Sequence, residues 1–113
     1  MKGTEKQITW AQDIIKTSLD HAENNSKLNM DRYEEYDHHP MYLANAEAYK
    51  LMTAVLKAIF AAPDDAAWII EHRTRFGSQA ISQQADRWAD MIRSGRKTIS
   101  QIAAENGLKD YQA

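Results

Sequence analysis

A chain of 113 residues, 43% apolar and 27% charged, has the composition of one folded domain with one modest core. Its net charge of −2 supplies no global positive field for nucleic acid or an anionic membrane, and three Trp, five Tyr and regular apolar spacing argue against disorder. The absence of cysteine excludes disulfides, thiolate zinc sites, iron–sulfur ligation and thiol nucleophiles together.

The first ten residues, MKGTEKQITW, have no apolar signal core, so a cytoplasmic location is expected. Thr4-Glu5-Lys6-Gln7 reads as a capping box, with Thr4 as N-cap and Gln7 at the third helical position. Ile8, Ala11, Ile14, Ile15, Leu19 and Ala22 follow at helical spacing with one buried face. Trp10 lies off this stripe, which suggests a second contact. Asn24-Asn25-Ser26, whose side chains compete for backbone hydrogen bonds, predicts the end of the helix, and residues 24–39 read as a polar loop or hinge. Pro40 opens the next helix or kinks a continuous one.

From Met41 to Ala62 strong helix formers place Leu43, Ala46, Ala48, Leu51, Val55, Leu56 and Ile59 on a broad apolar face, predicting the central helix. The apolar-rich run from Ala54 to Ala62 is interrupted by Lys57 and too short to span a bilayer. Pro63-Asp64-Asp65 opens another helix containing Trp68, Ile69 and Ile70, broken at Phe76-Gly77-Ser78. Ser78 reads as the cap of a fourth helix to about Ser94, with Ile81, Ala85, Trp88, Met91 and Ile92 inside and Gly95 following as C′. Thr98-Ile99-Ser100-Gln101 is a second capping box before a short final helix ending at Asn106-Gly107. No useful β alternation or repeat appears. The expected fold is all-α: a compact single-domain bundle of four or five helices over 1–113.

The segment DRYEEYDHHPMY, residues 31–42, is the densest in chemistry. On a helix Glu34 and His38 are one turn apart, as are Glu35 and His39, and Glu35 with His38 has the Glu-x-x-His spacing of carboxylate-bridged metal bundles. Such bundles need a second motif, which is absent, and Glu47 with His21 or His72 could contribute only if the fold brings them near. A metal-binding bundle is therefore an alternative, and no metal ligand or cofactor is assigned. His-Glu-x-x-His is absent, and His38 and His39 diverge on a helix. No Gly-x-Ser-x-Gly frames a serine, and glycines at 3, 77, 95 and 107 are too scattered to cradle a phosphate. No enzymatic activity is expected. Tyr33, Tyr36, Tyr42 and Tyr49 cluster in one region, and Tyr33, Tyr36 and Tyr42 beside Glu34, Glu35 and Asp37 suit a docking surface for a basic partner, because tyrosine is rigid and amphipathic.

Charge reverses further on. Between Glu71 and Lys97, Arg73, Arg75, Arg87, Arg93, Arg96 and Lys97 face only Glu71, Asp86 and Asp90. These residues form a solvated rim with local ion pairs, or they bind a nucleotide-like anion or nucleic acid. KTISQIAAENGL, from Lys97, has the pattern of the first helix and turn of a helix-turn-helix, but only Lys109–Ala113 follow it. A DNA-binding regulator would instead use Arg87, Arg93, Arg96, Lys97 and the last helix. Opposed charged regions also allow self-association.

Thr4–Ile14 and Ala66–Phe76 resemble the Lys-Gln-Ile-x-Trp-Ala-x-x-Ile and Trp-x-Ile-x-x-Arg segments of small helical proteins of bacteria, phages and prophages. Lys6, Gln7, Ile8, Trp10, Ala11 and Ile14 match the first, and Trp68, Ile70 and Arg73 the second. Ile69 stands where the related sequences often have a second Trp. The resemblance implies a cytoplasmic accessory protein and transfers no active site. Together with the missing catalytic motifs, it leads to the expectation of a non-enzymatic binding protein, a phage-type inhibitor of a host or defence component.

Overall fold

The structure, a computed structural model, describes residues 1–111. Gln112 and Ala113, the end of the expected domain, lie outside the described residues. The first helix starts at its predicted box: Gln7 N donates to Thr4 Oγ1 (3.2 Å) and Thr4 N donates to Gln7 Oε1 (3.0 Å). This helix, α1, spans Glu5–Glu35. At about 1.5 Å per residue, its 31 residues account for most of the 49 Å length of the molecule.

The expected loop or hinge over 24–39 is corrected: α1 continues to Glu35, and only Tyr36–His39 connect it to the next helix. The polar side chains that predicted a stop are satisfied without unwinding the backbone. The amides of Asn25 and Asn29 donate one turn back, to the carbonyls of His21 (2.8 Å) and Asn25 (2.8 Å). Ser26 Oγ donates across to the carbonyl of Ala46 (2.8 Å), and Asn45 Nδ2 donates to Asn29 Oδ1 (3.4 Å). Asn29 is only 6% exposed. The inner face of distal α1 is polar because it packs against a helix that offers hydrogen bonds.

That partner is α2, Pro40–Ala61. His39 caps it by accepting the Met41 N–H at Nδ1 (3.1 Å), and Pro40 occupies the first turn, where its missing N–H costs nothing. α2 runs antiparallel to α1 and holds the centre of the core, with Leu51, Val55, Leu56 and Phe60 buried. Ala44, Ala46 and Ala48 of the same helix are buried as well.

α3, Ala66–Glu71, is capped by Asp65, whose Oδ1 accepts the Ala67 N–H (3.0 Å), and a 3-10 turn over Arg73–Phe76 follows. The N-terminus is strapped to this connection. Lys2 N donates to Asp64 O (2.9 Å) and Ala66 N to Lys2 O (2.8 Å). Gly3 has φ +139°, and a Cβ there would lie 2.9 Å from Ala66 Cβ. α4, Ser78–Arg93, begins after Gly77; Ser78 is its first residue rather than its cap. α5, Ile99–Glu105, starts at the predicted box of Thr98 and Gln101, and Gly95 (φ +74°) ends α4 as expected. Five α-helices are thus present among the described residues, an all-α bundle.

The elements meet at two polar points inside an apolar core of Leu51, Ile69, Ile81 and Ile102. Ser18 Oγ lies 2.7 Å from the carbonyl of Ile14 and 2.8 Å from that of Phe76, so its single proton ties α1 to the 3-10 turn. Ser82 Oγ of α4 accepts the Tyr49 hydroxyl of α2 (2.9 Å) and is 2.9 Å from His21 Nε2 of α1.

Asn29→Ala removes an amide from this buried seam and is expected to lower unfolding stability by about 1–3 kcal/mol. An unchanged urea midpoint would show that the seam contributes nothing. Gly3→Ala combines an unfavourable φ with a clash and is expected to cost about 1–3 kcal/mol. The associated readout is loss of amide-exchange protection at Lys2 and Ala66.

Candidate functional site

The tip of the α1–α2 hairpin is built by the last turn of α1 and a tight reversal. Tyr36 caps α1, its N–H donating to the Arg32 carbonyl (2.9 Å). Asp37 (φ 54°) and His38 (φ 56°) both adopt the left-handed conformation, which disfavours residues with a Cβ. Two backbone bonds hold them there, His38 N to Tyr33 O (3.0 Å) and His39 N to Tyr36 O (3.2 Å). The chain is reversed in four residues without glycine.

This reversal brings the predicted docking residues together. Tyr36 is 56% exposed, and its ring lies 5.7 Å from that of Tyr42, which in turn stands 6.2 Å from His39. The edge of Tyr33 meets the His38 ring at 4.9 Å. Glu34, Glu35 and Asp37 surround them in solvent. Tyr49 does not join this cluster; it is buried one helical stretch away against Ser82.

The helical spacing of Glu35 and His39 is not realised in the folded chain. α1 ends at Glu35, so Glu35 and His39 are not one helical turn apart, and His39 is engaged as the cap of α2. Glu34 Oε2 and His38 Nε2 approach to 3.4 Å, an exposed pair of little energetic weight. Glu47 instead lies beside Tyr111, whose phenol is pushed above the usual tyrosine range by burial and, secondarily, by that carboxylate. His21 is committed to the Ser82 contact, and His72 stacks on Trp68 at 4.3 Å. Among the described residues no group of three or more His, Asp or Glu converges.

The basic residues of 71–97 are divided among different surroundings. Arg93 pairs with Asp90 (2.7 Å) and Lys97 with Glu105 (2.7 Å). Arg73 Nη1 donates to the Ile70 carbonyl (2.8 Å), and its guanidinium lies 5.2 Å from the Trp10 ring centre. Arg75 and Arg87 share a separate cleft of about 380 Å³ between α2 and α4, with Gln84 and Asn106 also on its wall. α5 buries Ile102 and Ala103 and exposes Ser100, Gln101, Ala104 and Glu105, none of them basic.

Trp10 is the surface residue for which sequence reasoning named no partner. It is 48% exposed, and its second contact is Arg73. The signal was its position off the apolar stripe of α1. The two resembling segments therefore meet in space, one at the start of α1 and the other over α3 and the 3-10 turn. Gln84 and Asn106 had no sequence signal, because nothing local distinguishes them from other solvated amides.

The left-handed turn makes the tip sensitive to side-chain shape. His38→Val is expected to cost about 1–2 kcal/mol, whereas His38→Gly leaves stability level or higher. Equal thermal shifts for the two variants would show that backbone strain is not what distinguishes this position. No family model matches the chain, and no curated protein and no solved structure is found to be similar to it.

Proposed function

We propose that this chain is a non-enzymatic binding protein that docks on a macromolecular partner through the tip of the α1–α2 hairpin. The observation behind this reading is Tyr36, more than half exposed on a tight, internally hydrogen-bonded turn and ringed by Glu34, Glu35 and Asp37. A rigid aromatic with two rotatable bonds loses little entropy on burial, and tyrosine is enriched among residues that dominate interface energies. Tyr33 and Tyr42 widen the contact, and the acidic rim favours a basic protein surface and speeds encounter with it. The finer assignment, a phage-type accessory inhibitor of a host or defence component, rests on the resemblance of Thr4–Ile14 and Ala66–Phe76. The contact between Trp10 and Arg73, one matched residue from each segment, is compatible with it.

The test is capture from bacterial lysate on the immobilised chain, run in parallel with Tyr36→Ala and with a triple charge reversal at Glu34, Glu35 and Asp37. A partner with a basic surface should be enriched by the parent chain. Its recovery should fall about tenfold or more with Tyr36→Ala, the size of effect expected of a central interface anchor. Equal recovery by all three proteins, or no specific partner for the folded parent, would rule out the tip as a docking surface.

A further inference from the structure

The cleft between α2 and α4 has a composition unlike the rest of the surface. Its floor is apolar, formed by Leu56 and Ile59 of α2, Phe76 of the 3-10 turn and Trp88 of α4. Its polar groups are Arg75, Arg87, Gln84 and Asn106, and no acidic residue lines it. Arg93 and Lys97 of the same basic segment form ion pairs with carboxylates, whereas among the described residues neither Arg75 nor Arg87 does. Asn106 Nδ2 is held by the Ile102 carbonyl (2.8 Å), which fixes the orientation of that amide beside the cleft.

From these features we infer that the cleft binds a small carboxylate with an apolar body. Guanidinium forks match the planar geometry of a carboxylate and donate to it in bidentate fashion. An apolar floor next to them rewards a ligand whose other end is hydrocarbon, at roughly 25 cal/mol for each Å² removed from water. The volume of about 380 Å³ suits a ligand of small-acid size. Two guanidiniums over an apolar floor are a poor match to a nucleotide triphosphate or a duplex backbone, which need several cations along an extended track. The cleft lies on α2 and α4, away from the hairpin tip, so the inference stands or falls independently of the docking role.

The test uses three probes on the full chain: decanoate below its micellar range, decanol and inorganic phosphate. Binding is followed by the side-chain NMR signals of Trp88, Gln84 and Asn106. Decanoate should shift all three, and each of Arg75→Gln and Arg87→Gln should weaken it by about tenfold, as loss of one charge-assisted fork implies. Tyr36→Ala should leave it unchanged. Melting curves show whether these exposed substitutions preserve the fold; if Arg87→Gln unfolds the chain, Arg87→Lys replaces it and should weaken binding through loss of the fork. Decanol binding as tightly as decanoate would reduce the site to a greasy patch. Phosphate producing the same shifts at the same concentration would reduce it to an unselective anion contact. Shifts that map elsewhere, or arginine variants that bind normally, also overturn the assignment. A blocked peptide with one Glu between two Leu that outcompetes decanoate would replace it with protein docking.

Discussion

The buried contact between α1 and α2 is the constraint on which the rest of the molecule depends. Its distal half is not a hydrophobic zipper. Asn25, Ser26 and Asn29 sit at the interface where a bundle ordinarily places leucine. Each has a defined partner, and leaving one unpaired there costs about 1–3 kcal/mol. The bonds of Ser26 and Asn29 to α2 are satisfied at one axial offset of the two helices and lost at others, so they select a register as well as holding it.

The same seam attaches the other elements. Ser18 on α1 fixes the end of the 3-10 turn through the Phe76 carbonyl, and Ser82 places α4 against both α1 and α2. Phe76 is thereby presented edge-on to Phe60, with ring centres 4.7 Å apart, and closes one end of the core. Arg75, its neighbour, is carried to the rim of the α2–α4 cleft. Arg73, two residues earlier on the tight turn, faces Trp10 instead. The short segment of α3 and 3-10 turn, residues 66–76, would have little stability alone, so its geometry is imposed by these attachments.

Both candidate sites follow from where the seam ends. Continuous α1 pushes the α1–α2 reversal to the end of a long hairpin, where Tyr36 has no core to enter and stays in solvent. The left-handed backbone at Asp37 and His38 is tolerated because two flanking hydrogen bonds and the packed helices on either side fix it. At the other side of α2, the angle at which α4 meets it leaves a cleft that the core side chains floor but do not fill.

Local chemistry was legible in the sequence wherever it acted over three or four residues. Both capping boxes, Pro40 at the start of α2, Gly95 after α4, and the apolar faces of α2 and α4 could be read because caps and helical stripes depend on near neighbours. The all-α class and the proximity of Tyr36 and Tyr42 followed from the same information, whereas Tyr49, expected in the same region, is buried against Ser82. The tertiary structure decided what near neighbours cannot. Ser26 looks like part of a helix stop until α2 lies beside it, because its partner, the Ala46 carbonyl, is distant in sequence. Glu35 and His39 look like ligands only while one helix is assumed to run through both. Arg73, Arg75, Arg87 and Arg93 look like one patch in a linear segment, yet the 3-10 turn and α4 divide them between Trp10, the cleft and Asp90. Composition limited the chemistry available to this chain, and packing determined which of its polar groups remained free to use it.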